Sequence, residues 1–177
     1  MTSEHWDLTA HVRGAISEAL VAEAVYQRHA DAILHSPRHR GYDVSSVEGD
    51  VRVDAKVASI LQVDLDGGGS VDAVEWDAGG RTEVLHESAT HLGLVVLDSS
   101  LTALRLFDGG DVVLRGDIVA DGRVFLVPAE VAREESSPIW SMRKCRPSKG
   151  RFRYLRLGTV DQHEVEFRSG LTSGGRK

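Results

Sequence analysis

The sequence predicts a single α/β domain, a mixed central β-sheet flanked by helices. Three observations predict it. Residues 8–34 carry apolar side chains at helical spacing, behind an Asp7 that can cap a helix start. Two short runs of strand character then surround a Glu48-Gly49-Asp50 turn, the pattern of a hairpin. Further on, Leu92-Gly93-Leu94-Val95-Val96-Leu97 is a nearly continuous apolar run, as in a central strand covered on both faces.

The elements follow in order. On the opening helix, Val12, Ile16, Ala19 and Glu23 fall on one stripe, and Gly14, Ala15, Glu18, Val21, Ala22 and Val25 on another. Both stripes are largely apolar, so wide burial is expected. Ser36-Pro37-Arg38-His39-Arg40-Gly41 ends the helix as a loop. Strands are expected at 42–48 and 51–58. Residues 61–65 and 71–76, joined by Gly67-Gly68-Gly69-Ser70, read as a second hairpin. A short helix is expected over 81–90, and strands at 101–107, 112–120 and 124–127. Pro128 suits the first turn of a short helix ending near Glu135. Residues 151–157 and 164–167 read as a final hairpin. The Gly/Ser-rich stretch 169–177 is expected to be disordered. No repeat and no dividing linker appears, so the domain is expected to span 1–168.

The bulk numbers restrict the function. A chain of 177 residues can bury a real core. Aromatics make up only 6%, so that core must lean on Val, Leu, Ile and Ala. The single cysteine, Cys145, excludes a disulfide framework and a cysteine-based zinc site. A reducing, cytoplasmic setting is expected, and residues 1–7 lack the basic start and apolar run of a signal peptide. No stretch approaches the roughly 18 consecutive apolar residues of a membrane span, so no membrane partner is expected. The net charge of −6 conceals an asymmetry. Residues 1–138 hold 11 Lys/Arg against 24 Asp/Glu, whereas 139–156 hold seven Lys/Arg and no acid.

The chemistry concentrates between residues 41 and 56. Gly41-Tyr42-Asp43 puts an acid at the start of the first strand of the first hairpin, and Asp54-Ala55-Lys56 puts an acid and a lysine at the end of the second. Pairing the strands brings Asp43 near Asp54 and Lys56. Asp54 and Lys56 are two apart, so they share a face. Two carboxylates and an ammonium at one sheet edge suit a hard divalent cation and a polarised water.

With Gly14-Ala15-Ile16-Ser17-Glu18 on the opening helix, this pattern resembles the PD-(D/E)XK nuclease superfamily, in its restriction-endonuclease-like and resolvase-like branches. The resemblance covers residues 10–60 well and 91–97 loosely. It departs from the family in having Asp54 where Glu is commoner, Ala55 where a larger apolar residue is usual, and no Pro before Asp43. It implies a restriction-endonuclease-like fold and a DNA endonuclease using Mg²⁺, with Mn²⁺ as a substitute. Asp43 and Asp54 would hold the metal, with the Ala55 carbonyl as a further ligand. Lys56 would orient the attacking water and stabilise charge on the phosphate. Glu18 would reach the site from the helix, with Glu23 as its rival. A homodimer is expected by analogy, since cutting both strands calls for two sites.

Residues 140–156 interleave cations with aromatics. Arg143, Lys144, Arg146, Lys149, Arg151 and Arg153 are candidates for DNA phosphate contact. Trp140, Phe152 and Tyr154 either stack on a base or pack in the core. Arg38 and Arg40, just before Gly41, are placed to touch a phosphate near the scissile bond. His29, His35 and His39 cluster in sequence without the spacing of a zinc helix.

Two rival classes remain open. One is a nucleic-acid-binding module of the same fold without catalysis. The other is a calcium-binding protein, because residues 64–75 place Asp64, Asp66, Asp72 and Glu75 at EF-hand positions 1, 3, 9 and 12, with Gly69 at position 6. The flanks of that loop favour a glycine-rich hairpin turn.

Overall fold

Helix α1, Glu4–His29, opens the chain. In the computed structural model the described residues are 4–36, 39–65, 67–79, 83–97, 107–108, 111–112, 122–139 and 152–166. Their side chains are described from residue 13 onward, except at 107–108, 111–112 and 122. The helix starts earlier than Asp7 and ends sooner than residue 34. Asp7 therefore lies within it rather than capping it. Ala30 stops it by adopting φ +61°, while its N–H still bonds the Tyr26 carbonyl at 2.7 Å. The chain then turns, and Ile33–Leu34 forms strand β1 instead of helix.

Over the described side chains of α1, from residue 13 onward, one face is buried. Ser17, Leu20, Val21, Ala24 and Val25 recur at helical spacing and pack inward, while Ala15, Ala19 and Glu23 are exposed. Ile16 of one expected stripe and Ala22 of the other also pack against this core, while the small Ala15 and Ala19 carry too little apolar surface to require cover.

Strand β2, Val44–Ser45, pairs antiparallel with the start of β3, Arg52–Asp64, as the Glu48-Gly49-Asp50 turn predicts. The expected strands at 51–58 and 61–65 are one continuous 13-residue strand. It turns through the glycine-rich segment into β4, Ser70–Asp77, with Asp64 opposite Ser70. Residues 83–90 form turns, not the expected helix. Strand β5, His91–Leu97, runs parallel to β3 on one side and antiparallel to β8, Gly122–Pro128, on the other. Its apolar run is a central strand, as expected. Short strands β6, Phe107–Asp108, and β7, Asp111–Val112, pair apart from the main sheet. The expected strands at 101–107 and 112–120 fall mostly outside the described residues, as does the tail 169–177.

Helix α2, Ala129–Glu135, begins immediately after Pro128. Strand β9, Ser137–Pro138, pairs with β10, Phe152–Arg156, which pairs in turn with β4. The final hairpin expected between 151–157 and 164–167 does not form. Helix α3, Leu157–Val160, and a 3-10 turn at Asp161–His163 follow β10, and Glu164 bridges to Phe125 of β8. Both ends of that expected hairpin found better partners in strands already covered on one side.

The result is an eight-stranded mixed sheet, antiparallel except for β3 with β5, between layers of helix. On one face α1 meets Val53 and Ala55 of β3, Val95 and Leu97 of β5, and Val124 and Leu126 of β8. On the other, α2 and α3 cover Leu92, Leu94, Phe125, Val127, Val74 and Trp76. Gly93 permits the first contact: a Cβ there would stand 2.8 Å from Val53 Cγ1 and 2.9 Å from Val21 Cγ2.

Candidate active site

Strand β3 carries the site because its neighbours divide along its length. On one edge β2 pairs only with Arg52 and Val53, and β4 begins at Ala58. Between them Asp54, Ala55, Lys56 and Val57 have no strand partner on that side among the described residues, although β5 pairs with them on the other. The sheet forks there.

Asp43 stands at the fork. Its N–H donates to the Val53 carbonyl at 2.8 Å, extending the β2–β3 ladder by one bond. Its own carbonyl accepts the His35 N–H at 2.8 Å. Its side-chain Oδ2 then accepts the Ala55 N–H at 2.8 Å. That carboxylate does for Ala55 what a strand neighbour would otherwise do. Gly41 makes the approach possible. Its φ of +109° suits glycine, and a Cβ would stand 2.9 Å from His86 Nδ1 and closer still to Ser88 Oγ. The turn holding His86 and Ser88 is anchored by Arg52, whose guanidinium donates to the Ser88 carbonyl at 2.6 Å and the Gly49 carbonyl at 2.8 Å.

Asp54 is almost wholly buried, 5% exposed, and Lys56 is half-buried. Their side chains form an ion pair between Lys56 Nζ and Asp54 Oδ1, as expected for residues two apart on a strand. Glu18 approaches from α1. Burial raises its carboxyl above the usual range, the Asp43 charge adds to that, and Lys56 works against it. Asp43 is also raised, chiefly by burial. The Ala55 N–H and Lys56 oppose the rise, Asp54 reinforces it, and His39 opposes it. Glu18, Asp43, Asp54 and Lys56, drawn from three parts of the chain, thus act on one another through Asp43 and Lys56. Glu23 does not join them: it is exposed and accepts a hydrogen bond from Gln27 at 3.2 Å.

The donors suit a hard cation in kind. They are carboxylates and a strand carbonyl; burial first, and a neighbouring carboxylate second, raises Glu18 and Asp43, and Lys56 offsets part of the rise. Among the described residues no group of three or more His, Cys, Asp or Glu side chains could hold a metal ion together. Mg²⁺ is commonly held by one or two carboxylates plus waters and substrate phosphate, so two acids at a fork are compatible with it.

The basic candidates divide. Arg40 is exposed three residues before Asp43. Arg153, by contrast, is half-buried and engaged: its guanidinium donates to Ser136 Oγ at 3.1 Å and to the Ser136 carbonyl at 2.9 Å. It ties β10 to the end of α2, which strand alternation alone does not reveal. Arg38, Arg143, Lys144, Arg146, Lys149 and Arg151 lie outside the described residues, as does Trp140. The 64–75 stretch is a β-hairpin with strands on both sides, so it lacks the two helices of an EF-hand.

Sequence reading noted His35 and His39 only as lacking zinc-helix spacing and Tyr42 only as part of Gly41-Tyr42-Asp43, and did not group the three rings. His35 and His39 centroids are 4.4 Å apart, and His39 and Tyr42 also 4.4 Å. Their closeness to Asp43 in sequence was legible, but their packing on one another was not. No helix among the described residues is long and apolar enough to cross a membrane. Comparison with protein-family models, curated proteins and solved structures returns no match.

Proposed function

We propose that this chain is a restriction-endonuclease-like, Mg²⁺-dependent DNA endonuclease of the PD-(D/E)XK kind, acting in restriction, defence, repair or recombination. One observation carries the reading. Residues 18, 43, 54 and 56, singled out by that pattern, become electrostatic neighbours where β3 loses its strand partner. Random surface acids have no reason to gather where a backbone edge is open and a lysine is present.

Asp43 and Asp54 would hold the cation, with Glu18 and the Ala55 carbonyl beside them and Mn²⁺ as a substitute. The bound cation supplies positive charge next to the phosphate and acidifies water. The chain's own groups do the rest. The Ala55 N–H fixes the orientation of the Asp43 carboxylate. Asp54 holds the Lys56 ammonium in place, and the remaining N–H bonds of that ammonium can donate to a phosphate oxygen or to water. Arg40 offers phosphate contact outside the acids. Duplex cleavage by one site per chain calls for two copies, so a homodimer forms the working unit.

The test is plasmid cleavage in Mg²⁺ by the native chain, Lys56→Ala and Lys56→Gln. Glutamine still donates to Asp54, which guards against a fold lost to an unpaired buried acid. Cleavage should fall by about 10²- to 10³-fold in both variants with little change in the Gln variant's melting temperature. A second reading, a binding module without catalysis, is favoured by the Lys56–Asp54 pair, which already occupies one acid. Tight DNA binding with equal, negligible cleavage by all three proteins would select it.

A further inference from the structure

Beside the proposed site stands a group of rings that the hydrolytic scheme does not use. His35, His39 and Tyr42 pack on one another, with His35 and Tyr42 centroids 5.1 Å apart and edge-on. None belongs to either apolar core. His39 is exposed, and the other two are half-buried. Both imidazoles are hydrogen-bonded to the segment around Asp43. The His35 N–H donates to the Asp43 carbonyl, and His35 Nε2 shares a 2.9 Å hydrogen bond with Ser45 Oγ. His39 Nδ1 lies 3.0 Å from the Tyr42 carbonyl, which can only accept, so Nδ1 carries the hydrogen. The charges agree on the placement, since Asp43 acts on His35 and His39 acts on Asp43.

A chain with only 6% aromatic residues thus packs Tyr42, next in sequence to Asp43, against the imidazoles of His35 and His39. A rigid exposed ring next to a phosphate-binding site offers a π-face to a nucleobase. In an intact duplex the bases present no free face, because each is stacked on its neighbours. Only an unpaired nucleotide could use this platform. We propose that His39, supported by His35 and Tyr42, stacks on an unpaired base beside the scissile phosphate. The substrate class is therefore DNA with unpaired nucleotides, as at a single-stranded gap or flap, in preference to continuous duplex. This rests on the nuclease reading of the same site.

The test uses two DNAs of one sequence, a continuous duplex and a duplex with a three-nucleotide gap containing 2-aminopurine. Binding is measured with Ca²⁺ replacing Mg²⁺ to hold the DNA uncut. The full chain should bind the gapped DNA more tightly and change the 2-aminopurine fluorescence. His39→Ala should weaken gapped binding by roughly 5- to 150-fold, leave duplex binding within about twofold, and abolish the fluorescence change. His39→Phe, which keeps a ring without nitrogen, should retain both. Equal binding of the two DNAs by the native chain overturns the proposal. So does a His39→Ala variant that weakens both DNAs alike, which marks a phosphate contact, or a His39→Phe variant that behaves like His39→Ala. Cleavage failure with the gapped preference intact would instead sink only the nuclease reading.

Discussion

Asp43 shows how one side chain can serve geometry at the expense of comfort. It completes the hydrogen bonding of Ala55 at the fork, yet burial and the Asp54 charge make its ionised form unfavourable. Its folded-state pKa is raised, so the fold binds this proton more tightly than the unfolded chain does. The corresponding stability is fully present below the ordinary carboxylate range and is lost as pH rises through the raised value. Asp43→Asn keeps an oxygen for the Ala55 N–H and removes the charge. Without divalent cations, the variant should melt above the native chain at neutral pH, and the advantage should shrink to nothing as pH falls below the ordinary Asp range. Cleavage should be lost at every pH. Thermal melts across pH check the first claim, and a variant less stable at neutral pH would refute it. Stability yielded for function is the expected state of such a site.

At the scale of elements, the site depends on how α1 is held. Gly93 lets the helix sit against β5, with Val21 and Val53 filling the space a side chain would take. Gly93→Ala should cost about 1–3 kcal/mol by overpacking and shift Glu18 away from Asp43, measurable by denaturant unfolding. The end of α1 gives the opposite case. Ala30 holds a left-handed conformation, φ +61°, and is exposed. Ala30→Gly should raise stability by about 0.5–1 kcal/mol, because glycine reaches that region without a Cβ penalty. The helix limits were only partly legible in the sequence. Ala32, Ile33 and Leu34 continue an apolar helical pattern, but pairing of Ile33 with Ser45 and Leu34 with Val44 overrides it. The first two hairpins were legible, since turn glycines and alternating residues act locally. The final hairpin was not, because the partner of β10 is β4, some 80 residues earlier in the chain.

At the scale of the whole molecule, charge and topology have to be read together. An acidic body carrying a short basic segment invites a DNA-facing strip, but Arg153 is already bonded to Ser136. Arg153→Ala should therefore cost about 1 kcal/mol of stability through the lost hydrogen bonds, and leave the salt slope of DNA binding unchanged. A slope reduced by about one unit would return Arg153 to the DNA-binding face. The sheet also sets which side of the candidate site is accessible: β5 closes one edge of β3, and among the described residues the fork leaves the other without a strand.

By itself the sequence determined the layered α/β class, the β2–β3 turn, the central β5 strand and the acids and lysine worth watching. Each of these is written in local patterns of polarity and turn chemistry. Tertiary structure alone decided that, among the described residues, β2 and β4 leave one edge of residues 54–57 without a strand, that Glu18 comes under the charge of Asp43 while Glu23 stays exposed, and that three rings gather near Asp43. Those outcomes depend on which distant strands and helix faces meet, and a one-dimensional pattern does not encode that choice.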